Sequence, residues 1–127
     1  MYLDEYVTPE TAKMLKEKGF TQITDCWYDE EDNIHVRGNY SCSGDKVFYA
    51  DTCCNAPTQT VACQWLRLVY KLHIYAFHSK IENGPEWCFE IDKMDEGWTY
   101  SRHFGMTYEE SIEEAIKYAL ENFLDKK

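Results

Sequence analysis

The segment 107–124 constrains this chain more than any other. Thr107 and Glu110 stand at capping-box spacing, and Ile112, Ala115, Ile116, Ala119, Leu120, Phe123 and Leu124 recur at the helical period as one apolar stripe. Acids crowd the start of this helix and Lys126 and Lys127 follow its end, the polarity that the macrodipole favours. A stripe of this length is stable only when another surface covers it, so the remainder of the chain must supply that surface.

Strands are the natural cover. In 71–77, Leu72, Ile74 and Ala76 alternate with His73, Tyr75 and Phe77, and two further strands flank Met94, Asp95, Glu96 and Gly97. Their faces are split. Trp87, Phe89 and Ile91 lie on one side of the first, with Trp98, Tyr100 and Phe104 on one side of the second; opposite them are Cys88, Glu90 and Asp92, then Thr99, Ser101 and His103. Upstream, Thr8, Pro9 and Glu10 read as N-cap, first helical residue and dipole partner of a short helix over about 9–18, closed by Gly19.

Residues 23–28 and 34–38 are strand-like around Asp29, Glu30, Glu31, Asp32 and Asn33, which predicts a hairpin with an acidic tip, and 46–51 is a third strand candidate. Asn55, Ala56, Pro57 and Thr58 are read as the lead into a second helix carrying Val61, Ala62, Trp65, Leu66 and Val69. The order is helix, three strands, helix, three strands, helix. It predicts a single α+β domain over 1–127: an antiparallel sheet of about six strands, two main helices packed on one face, and a short N-terminal helix.

Length and charge narrow the function. A chain of 127 residues, 44% apolar and 28% charged, is long enough to bury a core without disulfides. It has no apolar run of membrane-spanning length and begins with acids where a secretory signal carries bases, so a cytoplasmic location is expected. The net charge of −10 is uneven: nine acids and three bases in 1–36, two and five in 37–81, twelve and five in 82–127. Such a field disfavours nucleic acid and anionic membrane, although Arg37, Lys46, Arg67, Lys71 and Lys80 form a local basic set. A basic protein is the natural complement.

Reactive chemistry has little support in the pattern. Six cysteines, Cys26, Cys42, Cys53, Cys54, Cys63 and Cys88, show no CxxC spacing. The adjacent Cys53 and Cys54 precede the second helix, where its dipole would lower a thiol pKa. His35, His73, His78 and His103 fall on or near strands without an i, i+4 partner; a site from His73 and His103 with Cys88 or Glu90, or with Cys53 and Cys54, is the metal- or thiol-enzyme alternative. Glu90 and Asp92 share a strand face at a spacing a glycosidase could use, but an alternating charged strand is ordinarily a wet face. The acidic tip lacks the glycine and distal Glu of a calcium loop. No phosphate loop, nucleophile elbow or zinc-protease motif occurs.

Residues 6–20 (YVTPETAKMLKEKGF), Ala56, Pro57, Thr58 and Gln59 leading to Trp65, Leu66 and Arg67, then 87–91 (WCFEI) and 107–111 (TYEES), cover most of the chain. In these segments it resembles a family of small uncharacterised proteins of gut Bacteroides-type bacteria and their phages or mobile elements. Leu68 departs from the acid that follows Arg in that family. The resemblance implies no activity, cofactor or catalytic residue; it implies a small accessory or host-directed binding protein.

Together these readings predict a non-enzymatic interaction domain without catalytic residue, metal or cofactor, with its oligomeric state left open. The expected contact residues are the aromatics Tyr75, Trp87, Trp98 and Tyr100 of an open sheet face and the acids Asp29, Glu30, Glu31 and Asp32 of the tip. One version is a nucleic-acid mimic presenting the tip and the acidic start of the last helix.

Overall fold

The computed structural model describes residues 5–22, 24–36, 53–79, 82 and 84–124. It contains helices α1 (Pro9–Glu17), α2 (Gln59–Tyr70) and α3 (Tyr108–Asn122). The strands are β1 (Cys26–Tyr28), β2 (Ile34–Val36), β3 (Cys54–Ala56), β4 (Leu72–His78), β5 (Trp87–Lys93) and β6 (Trp98–His103). The class is the expected α+β, with antiparallel strands throughout. The six strands are distributed over two sheets of three, β2-β1-β3 and β4-β5-β6. The chain correspondingly divides into two compact units, Met1–Thr58 and Gln59–Lys127. The strand candidate at 46–51 lies outside the described residues, as do Arg37, Cys42, Lys46 and Lys80.

In the first unit, local signals start α1 and a long-range contact anchors its entry. Thr8 is the N-cap, its hydroxyl accepting from Thr11 N, with Pro9 in the first turn. Gly19 at φ 105° lets the chain leave, and the Phe20 N–H returns to Leu15 O at 2.9 Å. The β1–β2 hairpin pairs Tyr28 with Ile34 across the acidic loop. On the other side of β1, Tyr28 pairs with Cys54 and Cys26 with Ala56. The helix α2 begins at Gln59, directly after the 55–58 lead, but Asn55 and Ala56 of that lead belong to a strand that the sequence reading did not include. Cys26, Tyr28, Cys54 and Ala56 are all buried. The Tyr28 hydroxyl donates to the Val7 carbonyl at 2.7 Å, and Val7 N donates to Pro57 O at 3.0 Å.

The second unit is built on β5, whose two neighbours pair along most of its length. Leu72, Ile74 and Ala76 of β4 lie opposite Lys93, Ile91 and Phe89, which in turn face Trp98, Tyr100 and Arg102 of β6. That side is covered by helices: α3 packs on β4 and β5, and α2 packs on β4 and α3. Buried Gln59 ties the two helices, its amide nitrogen donating to Glu109 O and to Glu113 Oε1, both at 3.0 Å. Ile112, Ala115, Ile116, Ala119 and Leu120 of the α3 stripe are all buried, as are Phe89 and Ile91.

A single residue, Lys71 at φ 62°, joins α2 to β4. Two contacts hold this joint to the end of β5 and the residue after it. Met94 N donates to Lys71 O at 2.9 Å, and the buried Lys93 places its Nζ 2.9 Å from Tyr70 O and 3.4 Å from Asp95. Lys93 thus supplies a cation to the carbonyl end of α2, where the helix dipole is negative.

Two substitutions check the units separately. Ile116→Ala should cost about 2–5 kcal/mol by emptying a fully buried site in the α3 stripe. Tyr28→Phe should cost about 1–3 kcal/mol by leaving the buried Val7 carbonyl unpaired. Urea unfolding followed by tryptophan fluorescence measures both.

Candidate functional site

The pairing register gives the β4-β5-β6 sheet a second face with three rows: His73, Asp92 and Thr99; Tyr75, Glu90 and Ser101; Phe77, Cys88 and His103. Both main helices take the opposite face, where Leu72, Ile74, Phe89 and Ile91 are sealed. On this second face Tyr75 is 36% and Phe77 42% exposed. The rings of β4 run in contact along the strand, with centroids 5.4 Å apart for His73 and Tyr75 and 6.3 Å for Tyr75 and Phe77. Beside them run the half-buried carboxylates of β5, Glu90 and Asp92, the latter accepting from Thr99 Oγ1 at 2.9 Å. Thr99, Ser101 and His103 form an exposed polar border.

Of the four aromatics singled out in the sequence, Tyr75 alone stands on this face. Trp98 and Tyr100 turn toward α3, with ring centroids 4.8 and 5.6 Å from Phe123, and Tyr100 stacks on Tyr118 at 4.6 Å and 7°. Trp87 meets Tyr108 at 5.6 Å and His78 at 5.2 Å. Arg102 binds these layers: it pairs with Glu114 at 2.9 Å and lies over the Phe89, Phe104 and Tyr118 rings. The Tyr118 hydrogen bond, followed by that from Arg102, draws the Tyr100 hydroxyl below its ordinary range, and the same pairing pushes Tyr118 up. Phe77, which sequence reading did not select, joins Tyr75; its alternation with Ala76 was the available signal.

The acidic tip is less open than its composition suggests. Asp29 Oδ1 accepts from the N–H groups of Glu31 at 2.9 Å and Asn33 at 3.0 Å, while Oδ2 meets His35 Nε2 at 2.8 Å. The His35 ring stacks on Trp27 at 4.2 Å. These bonds, the one from His35 foremost, hold the Asp29 carboxyl down at about 2. Asp32 pairs with Lys13 at 3.0 Å. Glu30 and Glu31 remain exposed, whereas Asp29 serves as the internal clamp of the loop.

The enzyme residues are not gathered on the sheet. His73 and His103 occupy its first and last rows on opposite strands, roughly 16 Å apart by strand spacing and rise. Cys88 faces His103 in the register but is buried, its thiol directed to Phe89 O. Cys53 and Cys54 belong to the other unit and do not cap a helix, and at Cys54 the expected lowering of the thiol pKa is replaced by its opposite. Burial pushes the Cys54 thiol up, against the partial counter-effect of Lys16 and Lys13. Among the described residues no group of three or more His, Cys, Asp or Glu side chains is arranged to hold a metal ion. None of the described helices is long and apolar enough to cross a membrane. Of the local basic set, Lys71 is exposed and Arg67 half-buried.

A shallow cleft of about 610 Å³ opens where β5 begins and β6 ends, lined by Gly84, Pro85, Glu86, Phe104, Gly105, Met106 and Glu110. The strands close behind it, Trp87 N donating to Gly105 O at 3.2 Å and Phe104 N to Trp87 O at 2.8 Å. Gly105, at φ 95°, lies so close to α3 that a Cβ there would sit 2.9 Å from Ser111 N. Glu110 caps from the other side, accepting Met106 N at 2.8 Å.

Two titrations follow. The depressed Asp29 pKa means that its clamp stabilises the hairpin fully above the ordinary value of 3.8 and is lost as pH falls through about 2. The Asp29 carboxyl carbon should titrate near 2 by NMR, and in His35→Ala its midpoint should rise. Cys54 should alkylate at least about tenfold more slowly than a free cysteine at neutral pH, as read by mass spectrometry.

No family model matches this chain, and neither a curated protein nor a solved structure is detectably similar to it.

Proposed function

We propose that this chain is a non-enzymatic protein-interaction module that binds a basic partner through the face of the β4-β5-β6 sheet opposite α2 and α3. The observation that carries this reading is the exposed pair Tyr75 and Phe77 standing in register beside Glu90 and Cys88. Rigid aromatic side chains provide contact area at low entropic cost, and an adjoining row of carboxylates selects cationic groups that lie over the rings. Thr99, Ser101 and His103 supply the polar rim of such an interface. The net charge of −10 adds long-range attraction for a basic partner and repels phosphate and anionic lipid. An accessory protein of a phage or mobile element, acting in the cytoplasm, fits this role.

The test compares affinity capture by the wild-type chain with capture by Tyr75→Ala/Phe77→Ala, after circular dichroism has shown both to be folded. A basic protein held by the wild type, lost by the double variant and released between about 0.05 and 0.5 M salt supports the reading. Equal capture by both chains, or binding indifferent to salt, overturns it.

A further inference from the structure

The cleft at the foot of α3 lies on a different part of the second unit from the exposed aromatic row, and its chemistry is more specific. Pro85, Phe104 and Met106 give it an apolar floor, and Met106 is 56% exposed. Glu86 and Glu110 stand on its lining, both exposed. Glu110 uses one carboxylate oxygen, Oε1, to cap Met106 N. Glu86 accepts Ser79 N through its backbone carbonyl at 2.7 Å, and its carboxylate lies at a long 3.7 Å from His78 Nε2. Arg102 lies over the Phe104 ring, and its charge is met by Glu114 at 2.9 Å.

An apolar floor with carboxylates beside it matches one kind of side chain: a long aliphatic stem ending in a cation. We infer that this cleft receives a lysine side chain from an extended segment of a partner protein, the stem lying on Phe104 and Met106 and the ammonium pairing with Glu86 and Glu110. The inference extends the proposed preference for a basic partner to a second contact point, yet it stands on separate residues. Loss of the Tyr75 and Phe77 contact leaves it intact.

Titration of the full chain with acetylated, amidated hexalysine, followed by amide NMR, tests it. The largest shifts should fall on Gly84, Gly105 and Met106, and should saturate. Glu86→Gln and Met106→Ser should each weaken binding at least about threefold, while Glu31→Gln on the acidic tip changes it less than about twofold. Hexaglutamate should cause no shifts. Shifts spread over every acidic loop, equal weakening by Glu31→Gln and Glu86→Gln, or no saturable binding at millimolar peptide would overturn the inference. So would spermine binding as tightly as hexalysine, since the site would then take a free polyamine rather than a protein segment.

Discussion

The second unit depends on burial of one helix stripe against one strand pair. Ile112, Ala115, Ile116, Ala119 and Leu120 cannot remain in water, and β4 and β5 provide the apolar surface that removes them from it. Because strand side chains alternate, committing Leu72, Ile74, Phe89 and Ile91 to that task sends Tyr75, Phe77, Glu90 and Asp92 to the other side. The surface proposed for interaction is therefore the geometric remainder of the core. Its polarity is not accidental: a second apolar face would require a second layer of cover, and the helices of this unit are both spent on the first.

Polar groups inside this arrangement serve mainly as ties. Gln59 links α2 to α3, Lys93 links β5 to the end of α2, and Arg102 with Glu114 links β6 to α3. In the first unit, Asp29 does the same for a five-residue loop, and Tyr28 for the segment entering α1. Apart from the Arg102–Glu114 pair, each of these groups has at least one backbone partner, which restricts the geometry more than a contact between two mobile side chains would. The acids of the chain therefore divide into carboxylates used internally and others that face solvent. Glu30 and Glu31 belong to the latter; Asp29 and Glu114 do not.

What the sequence discloses is what is local. The α1 start at Thr8 and Pro9, the α3 start at Thr107, the hairpin around Asn33 and the split faces of β4, β5 and β6 all follow from signals within a few residues, although the Glu110 carboxylate takes Met106 N in place of the Thr107 N–H of a capping box. The strand Cys54–Ala56 was illegible because three residues carry no period, and their extended form comes from pairing with β1, more than twenty positions away in sequence. Division of the strands between two sheets is likewise a matter of long-range pairing. Alternation also cannot say which face the helices cover, so Trp98 and Tyr100 were expected on the same surface as Tyr75 when they lie under α3. Nor does composition reveal that Asp29 turns inward, because that follows from the hairpin backbone bringing two N–H groups and His35 to one carboxylate.

The single residue at the α2–β4 joint couples two different periodicities. A helix advances about 100° per residue, whereas a strand inverts at every step. With Lys71 as the whole connection, and with Tyr70 and Lys71 both fastened at the end of β5, the phase of Trp65 and Leu66 beneath the helix sets which side chains of β4 point outward. Removing one residue here would do more than shorten a link. It would exchange the inner and outer sets of the edge strand, bringing Tyr75 and Phe77 into the interior and turning Leu72 and Ile74 out to water. The identity of the exposed surface is thus encoded in the length of a joint that touches none of it.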